Sequence, residues 1–332
     1  MTHGMPPTSD HRSPPHPTDT PDGAAPDPTN GSEASLPCVM TFNANDPSGA
    51  GGLAADLTAM ASASAHVLPV VTGTYIRDTR SIQQHLTFDE EMVEDQARCV
   101  LEDTPVQAFK VGYVGSPENL STIAEILSDY GDVPVVTYMP SLDWHEQAEI
   151  ENYLDACAEL LLPQTAVLVG NHNTLCRWLL PDWSQDKPPG PRDVARAAAE
   201  HGTPYTLVTG FNTPDQHLES HLASPEAVLA TARYERFEAT FTGAGETLSA
   251  ALCALIASGA DLQVACAEAL TYLDQCLDAG FQPGMGHAVP DRLFWAHDDA
   301  SAGAGDEDDE PPGDAASAAH GLADFPLKST PH

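Results

Sequence analysis

A glycine-containing segment, residues 242–251, carries groups whose spacing could support chemistry on an anion. Gly243, Ala244 and Gly245 are small residues that lead directly into an Ala/Leu-rich run, which is typical of a helix N-terminus. The free backbone N–H groups at such a terminus point the same way, and the helix dipole adds partial positive charge where a phosphate can bind. Glu246 stands at the mouth of this predicted anion hole, so its carboxylate could take a proton from a hydroxyl group that attacks phosphorus. An ordinary loop before a core helix, with Glu246 favoured by the helix dipole, also explains these residues.

Two further loops follow predicted strands and carry unusual residues. The first, residues 45–52, is rich in glycine and is followed one helical turn later by Asp56, whose carboxylate could accept a hydrogen bond from a small polar ligand. The second, residues 73–80, contains Arg77 and leads into a predicted flap. Strand-to-helix turns need glycine for conformational reasons alone. A solvated helix residue explains Asp56 equally well, so neither loop identifies a site by itself.

An alternation of predicted strands and helices positions these loops. A strand at 39–42, a helix at 53–65 and an apolar, β-branched strand at 67–74 form an opening βαβ unit, which predicts a parallel sheet. The alternation continues with the predicted strands 106–111, 133–138, 165–169 and 205–208, which are separated by the predicted helices 89–102, 117–129, 146–161, 174–180 and 191–201.

The pattern changes in the flap and in the C-terminal part. Polar alternation at 81–86 predicts a small flap strand outside the main sheet. Residues 217–222 and 228–237 predict an antiparallel pair, and two long Ala/Leu-rich helices separated near Ser258 and Gly259 close the domain. The sum is a doubly wound α/β domain, in which ligands bind at the carboxyl ends of the strands.

Composition limits the classes of partner. The net charge of −36 and the isoelectric point of about 4.3 argue against nucleic-acid binding through a basic surface, which requires Lys and Arg to neutralise phosphates. The acidity extends into the globular part, for example at 89–95, which suggests adaptation to a salty cytoplasm, where ions screen the repulsion. An acidic protein of an ordinary cytoplasm is the alternative. No apolar run reaches the roughly 18 residues of a membrane span, so we expect no membrane association.

Length, cysteine usage and the termini define the expected organisation. The 332 residues could hold two domains or one large α/β domain with tails. Residues 1–35 and 298–332 are poor in apolar residues and predict disordered tails, the second of them acidic, around a domain at 36–297. Seven scattered cysteines, without a Cys-x-x-Cys pair, predict reduced core residues of a cytoplasmic protein and make a zinc site improbable.

Together the loops resemble the bacterial hydroxymethylpyrimidine/phosphomethylpyrimidine kinases of thiamine biosynthesis, which belong to the ribokinase-like superfamily. The resemblance runs from about residue 38 to residue 296 with similar spacing throughout. The motifs that carry it are Asp46-Pro47-Ser48-Gly49-Ala50-Gly51-Gly52-Leu53-Ala54-Ala55-Asp56-Leu57, Asp78-Thr79-Arg80, Lys110-Val111-Gly112, Val208-Thr209-Gly210 and residues 243–250. The closing residues 280–287 and Pro290-Asp291-Arg292 resemble one proteobacterial branch of that family.

The resemblance implies a ribokinase-like fold, that is, a doubly wound, mainly parallel sheet with helices on both faces and a small flap. It also implies transfer of the ATP γ-phosphate, with Mg²⁺, to a hydroxymethyl group and to the resulting phosphate ester, in a homodimer. The implied substrate-binding positions are Ala44, Asp56, Arg77, Tyr113 and Met139. The implied nucleotide-binding positions are Asn171, Thr209, Gly210 and Thr242. Gly243, Ala244 and Gly245 form the implied anion hole, and Glu246 is the implied catalytic residue.

Four departures from the family pattern affect these expectations. Glu246 stands where the family usually has Cys, although the wider superfamily has a catalytic Asp there. Thr137-Tyr138 replaces a usual Asp-Pro, and Thr174 replaces a Glu, so two acids associated with metal-bound phosphates are missing. Arg77 replaces a Gln or Glu that reads the pyrimidine. Because a guanidinium has donors only, it favours a ligand edge with acceptors or negative charge.

These observations leave three functional hypotheses. The first is a magnesium- and ATP-dependent hydroxymethylpyrimidine kinase. The second is a non-catalytic descendant that binds a pyrimidine-like or phosphorylated ligand, or a partner, which the missing acids favour. Pyridoxal kinase is the third, although the first loop fits the pyrimidine family better. For single residues, Arg77 as a solvated loop cation, and Tyr113 and Met139 as plain core packing, are the alternatives to ligand contact.

Overall fold

The computed structural model describes residues 36–297, and the predicted tails at 1–35 and 298–332 lie outside the described residues. The strands are β1 (Cys38–Asn45), β2 (His66–Arg77), β3 (Ile82–Thr87), β4 (Ala108–Val111), β5 (Val135–Met139), β6 (Val167–Asn171), β7 (Tyr205–Asn212), β8 (His217–Ala223) and β9 (Val228–Glu235). The helices are α1 (Gly52–Ser62), α2 (Glu90–Leu101), α3 (Pro117–Ser128), α4 (Gln147–Ala156), α5 (His172–Leu179), α6 (Pro191–Glu200), α7 (Ala244–Ala257) and α8 (Leu262–Asp278).

The nine strands form one sheet in the order β3-β2-β1-β4-β5-β6-β7-β8-β9. The six strands from β2 to β7 are parallel, and β3, β8 and β9 are antiparallel to their neighbours. The predicted α/β fold with a mainly parallel sheet is therefore confirmed. The order reverses next to β1, whose neighbours are β2 and β4, and such a switch point opens a crevice at the carboxyl ends of the strands.

The predicted position of the flap strand was wrong. Residues 82–87 form β3, which pairs with β2 from Gly73↔Thr87 to Arg77↔Ile82 and so belongs to the edge of the sheet. The physical reason is the length of β2, which runs three residues beyond Thr74, its last residue paired with β1. The backbone groups of this extension need partners, and β3 supplies them.

Side chains alternate between two cores, one on each face of the sheet. Val39 of β1 packs with α1, α7 and α8, whereas Met40 and Phe42 pack with α2, α3, α5 and α6 on the other face. Helix α7 is apolar on almost every side because it lies between the sheet and α8. It ends at Ala257, two residues before Gly259 with its positive φ. The predicted single helix at 146–161 ends its α-helical part at Ala156 and finishes as a π turn over Cys157–Leu161.

The same packing brings the N-termini of α1 and α7 to one end of the sheet, where the loops after β1, β4 and β5 also end. All seven cysteines are free thiols. Over residues 36–297, no helix combines the length and the apolar character needed to cross a membrane.

Candidate active site

Glu246 lies where two helix N-termini converge. It is in the first turn of α7, and its Oε1 accepts a hydrogen bond of 3.2 Å from the backbone N–H of Gly52, the first residue of α1. The positive ends of both helix dipoles are therefore close to the same carboxylate. The structure thus combines the predicted base with the predicted anion hole and adds a second helix terminus that the sequence did not indicate.

Two glycines permit this convergence. Gly243 has φ +89°, and a Cβ atom there would collide with the carbonyl oxygen of Ala50 in the loop before α1. A Cβ atom at Gly245 would collide with the phenol of Tyr138, at the end of β5. The small residues are therefore required because the backbone of α7 touches two other segments, and not only because a helix begins there.

Asp46 holds the glycine-rich loop in place. Its Oδ1 accepts hydrogen bonds from the N–H (2.9 Å) and the hydroxyl (2.6 Å) of Ser48, and its Oδ2 accepts one of 2.9 Å from the N–H of Gly51. Asp46 Oδ2 also lies 3.4 Å from Nη1 of Arg77. The carboxylate thus fixes the backbone amides that precede α1.

Arg77 connects this loop to the β2–β3 edge. Its side chain is only 9% exposed, and its Nε donates to the carbonyl oxygen of Asp78 at 3.0 Å while Nη1 faces Asp46. The alternative of a solvated loop cation is therefore wrong. Asp46 neutralises part of the guanidinium charge, so Arg77 does not need an anionic ligand to balance it, although it still presents only donors to any ligand.

The structure corrects the expected role of Asp56. Its side chain is fully buried; Oδ1 lies 2.8 Å from Nζ of Lys110, and Oδ2 accepts hydrogen bonds from Thr41 (2.7 Å) and Asn43 (3.0 Å). Both carboxylate oxygens are used inside the protein because this face of α1 packs on the sheet. Asp56 is thus neither a solvated helix residue nor a direct ligand contact, but the acidic half of a buried ion pair beneath the site.

This buried layer influences Glu246. Burial is the main cause that raises the pKa of the Glu246 carboxyl, and the nearby carboxylates of Asp56 and Asp46 raise it further. Lys110 and the N–H of Gly52 act in the opposite direction. The net shift is upward, which moves a carboxylate towards the pKa that suits a general base near neutral pH.

Two of the predicted substrate positions are packed among side chains. Ala44 is buried at the end of β1. The hydroxyl of Tyr113, also buried, lies 2.6 Å from Nε2 of His145 and 3.3 Å from the carbonyl oxygen of Gly115. Tyr113 belongs to an aromatic cluster that consists of Tyr75, His85, Tyr113, Trp144, His145 and Tyr153. The packing alternative for Tyr113 agrees with these contacts.

Met139 is buried at the end of β5 and lines a separate pocket with Thr174, Arg177 and Trp178. That pocket lies between β5 and helices α4 and α5. This pocket adjoins the region around Tyr113, since Leu142 and Ile150 border both.

The predicted nucleotide-side residues fall into two groups. Asn171, Thr209 and Gly210 line one cleft together with Ala244 and Gly245 of the anion hole. The remaining lining residues are mainly apolar or aromatic, including Leu218, Tyr234, Phe237, Leu273 and Leu277. A flat heterocycle fits such walls, and the adjacent α7 N-terminus suits its phosphates.

Thr242 does not line this cleft. Its hydroxyl lies 3.0 Å from Nδ1 of His287 and donates to the carbonyl oxygen of Thr79 at 3.3 Å. Thr242 therefore joins the segment before α7 to the β2–β3 corner and to the C-terminal segment. The predicted role of Thr242 in nucleotide binding stays a prediction.

The residues present do not form a preformed magnesium site. The hydroxyl of Thr137 is buried and lies 2.7 Å from that of Thr165, and Thr174 faces the pocket beside Arg177. The described part of the chain contains no group of three or more His, Cys, Asp or Glu residues placed to hold a metal ion. Mg²⁺ commonly keeps its waters and binds substrate phosphates with one or two carboxylates, so any such ion would depend mainly on the nucleotide.

Sequence reasoning gave no role to Arg292 and Lys110. The buried Arg292 donates from Nε to the hydroxyl of Thr247 (2.8 Å), and its Nη groups donate to the carbonyl oxygens of Gly49 and Ala50. It therefore fastens the glycine-rich loop to α7. Both basic residues lie within motifs of the family resemblance. A basic residue with apolar sequence neighbours was the signal that could have identified them.

Known proteins resemble this chain over most of its length. A family model described as phosphomethylpyrimidine kinase matches residues 46–291. The hydroxymethylpyrimidine/phosphomethylpyrimidine kinases of Streptomyces coelicolor and Mycobacterium tuberculosis are 29% and 26% identical to this chain; each alignment covers 78% of it, and 95% and 94% of the respective relative.

Solved structures share the fold. An ADP complex of Bacillus subtilis pyridoxal kinase matches with a TM-score of 0.71 at 19% identity, covering 79% of this chain and 99% of that one. A phosphomethylpyrimidine kinase from Clostridium difficile matches with a TM-score of 0.60 at 20% identity, covering 73% and 99%. The fold is therefore ribokinase-like, as the sequence resemblance predicted.

The buried ion pair beneath the site generates a stability prediction. Lys110→Met should lower the free energy of unfolding by about 3–5 kcal/mol, because it leaves the Asp56 carboxylate buried without its cation. The double variant Lys110→Met/Asp56→Asn should recover much of this loss, since no buried charge is then unpaired. Urea unfolding at neutral pH measures both, with the exposed Lys187→Met as control. A loss below about 1 kcal/mol in the single variant would contradict a stabilising pair.

Proposed function

Because the chain belongs to the phosphomethylpyrimidine kinase family, we propose that it is an ATP-dependent kinase of thiamine biosynthesis. Its acceptor is hydroxymethylpyrimidine, its monophosphate, or both. The observation that carries the proposal is the position of Glu246, whose carboxylate lies at the N-termini of α1 and α7. The preceding residue, Gly245, lines the cleft of Asn171 and Thr209. A base beside a phosphate-binding helix terminus is what transfer of a phosphoryl group to an alcohol requires.

The residues divide the reaction between them. Glu246 accepts the proton of the substrate hydroxyl while that oxygen forms a bond to the γ-phosphorus and the bond from phosphorus to the departing ADP oxygen breaks. The N–H groups of residues 243–246 stabilise the negative charge on the transferred group. Asp46 and Arg292 keep the two loops in register, so the donors are aligned before the substrate arrives.

ATP is the expected phosphoryl donor, with the cleft beside Asn171, Thr209 and Gly210 as its binding site. The family membership supports this, as does the shared fold with a pyridoxal kinase that was crystallised with ADP. Mg²⁺ accompanies ATP in this proposal. The described residues do not form a site of their own for the ion, so no step is assigned to residues that would hold it.

One observation favours a second function, a catalytically degenerate protein that binds a pyrimidine-like or phosphorylated ligand or a partner. Thr137 and Thr174 stand at two positions where the family has acids, and Thr137 is satisfied by Thr165 inside the protein. A site that cannot stabilise phosphate-bound metal loses part of its electrostatic catalysis. Family resemblance supports a homodimer, and the scattered cysteines support a cytoplasmic location. The net charge of −36 argues against nucleic-acid binding, and we expect no membrane association.

An ATP-consumption assay tests the proposal. Purified protein with ATP and Mg²⁺ should turn over hydroxymethylpyrimidine, and parallel reactions with its monophosphate and with pyridoxal define the acceptor. The assay is run at low and at molar salt, because a chain with a net charge of −36 is expected to be more compact when its repulsion is screened. Absence of turnover with both pyrimidines at either salt concentration would exclude this function and leave the binding protein.

The base role of Glu246 has a separate test. Glu246→Gln keeps the shape of the side chain but should lower kcat by about 100-fold or more, as expected for a lost general base. Because the pKa of Glu246 is raised, wild-type kcat should increase with pH as the carboxyl loses its proton, with a midpoint above the ordinary value of 4.5. The Gln variant should lack this limb of the profile.

Two further variants interpret that result. Glu268→Gln, on the exposed face of α8, is the matched control and should leave the rate and the pH profile unchanged. Glu246→Cys introduces the usual family residue. If Glu246→Cys or Glu246→Gln retains wild-type kcat, the helix terminus and substrate positioning account for catalysis and the base role is refuted.

Arg77 allows a prediction about the substrate edge. We propose that its free N–H groups face the ligand and favour acceptors, so a ligand amino group there would lose a hydrogen bond at a cost of about 1–3 kcal/mol. Arg77→Gln should then bind hydroxymethylpyrimidine more tightly, relative to an oxo-substituted analogue, than the wild type does. Loss of the contact between Arg77 and Asp46 also loosens the glycine-rich loop and weakens the binding of both ligands. The ratio of the two affinities cancels this shared effect.

Titration calorimetry of both ligands on both proteins measures this ratio, with Arg80→Gln as a control on an exposed neighbour. An unchanged ratio would mean that Arg77 serves the loop through Asp46 and does not select the substrate.

A further inference from the structure

Tyr138 occupies an unusual place beside the anion hole. It lies in β5 between Thr137 and Met139, and its side chain points to the face of the sheet that carries α1 and α7. Its phenol, the hydroxyl included, packs so closely against Gly245 that a Cβ atom at that position would collide with it. The hydroxyl therefore lies at the first turn of α7, next to the N–H groups that form the anion hole.

The hydroxyl of Tyr138 has no hydrogen-bond partner among residues 36–297. Two other tyrosines differ in this respect: Tyr153 accepts a hydrogen bond from the N–H of Val114 at 3.1 Å, and Tyr272 donates to the carbonyl oxygen of Arg292 at 2.8 Å. Tyr138 is only partly buried, so its hydroxyl is still accessible from outside the protein. The hydroxyl is therefore free to bind a ligand atom beside the first turn of α7.

The charges around this hydroxyl define the atom that it can bind. Burial, together with the carboxylates of Glu246 and Asp56, raises the pKa of Tyr138, so the phenol stays neutral and keeps its proton. The ammonium of Lys110 lies 5.8 Å from the ring centre, on the side of the buried ion pair. A neutral O–H beside the first turn of α7 suits an oxygen with negative charge, such as that of a phosphoryl group.

We propose that the Tyr138 hydroxyl donates a hydrogen bond to the phosphoryl group held at the N-terminus of α7, and that it is a further catalytic residue of this chain. The inference rests on the proposed kinase function. The α7 N–H groups bind the anion from one side and Tyr138 binds it from the strand side. At the neighbouring position the family has an acid, whereas Thr137 of this chain turns to Thr165. An acid at that position would stabilise the phosphate through a bound metal ion. Tyr138 replaces part of this stabilisation by a direct hydrogen bond to the phosphate.

The first experiment compares nucleotide binding by the wild type and Tyr138→Phe, which keeps the ring and removes only the hydroxyl. Calorimetry with AMP-PNP and with adenosine, both in the presence of magnesium, separates phosphate contacts from base contacts. We expect Tyr138→Phe to bind AMP-PNP roughly tenfold more weakly, as for a lost hydrogen bond to a charged group, and to bind adenosine within about twofold of the wild type. Tyr130→Phe, at the end of α3 against Phe109, is the control and should change neither affinity.

The second experiment measures kcat with hydroxymethylpyrimidine. Tyr138→Phe should lower kcat by roughly 10-fold to 100-fold, because the donor acts on charge that develops during transfer. Equal AMP-PNP affinity in the wild type and Tyr138→Phe, an equal loss for adenosine, or no measurable AMP-PNP binding by the wild type would overturn the proposal. Failure of the kinase function is distinguishable, because it removes turnover of the pyrimidines but leaves the difference in AMP-PNP binding intact.

Discussion

The close approach of Gly243 to the carbonyl of Ala50 is the contact on which the candidate site depends. It places the first turn of α7 directly on the loop before α1, although the two segments are almost 200 residues apart in the chain. Arg292 strengthens the contact, since one guanidinium binds Gly49, Ala50 and Thr247 together. Without this close approach, Glu246 would cap a single helix, and the two helix dipoles would not act on the same small volume.

Beneath that contact lies a layer of charge that an apolar core would not contain. Lys110 and Asp56 are fully buried, and a pair of this kind costs desolvation free energy that their attraction only partly offsets. The ion pair lies close enough to Glu246 to affect its pKa: Lys110 lowers the pKa and Asp56 raises it. With burial as the largest cause, the net effect is a raised pKa of the Glu246 carboxyl.

The departures from the family pattern concern how phosphate charge is balanced, and they leave the fold intact. Thr137 and Thr174 remove acids, Glu246 introduces one, and Tyr138 introduces a neutral donor at the helix terminus. In the proposed reaction, these changes would shift the balance from metal-mediated stabilisation towards direct contacts from the protein. The fold tolerates such changes because its two apolar cores are formed by other residues, such as Met40, Phe42 and Leu248. Thr174 and Glu246 lie in the first turns of α5 and α7.

The sequence by itself determined the alternation of strands and helices, the parallel character of the sheet and the presence of a helix N-terminus within residues 242–251. These follow from local patterns of apolar residues and glycine, because backbone preferences act over a few neighbouring residues. The family resemblance added the nucleotide-side residues Asn171, Thr209 and Gly210, which the structure brings to one cleft. Only the tertiary structure decided that β3 joins the sheet, that Asp56 turns inward to Lys110 and that Thr242 faces Thr79. Each of these outcomes depends on which distant segments meet and on how much water they exclude, and a side chain's choice of partner is not encoded in its neighbours along the chain.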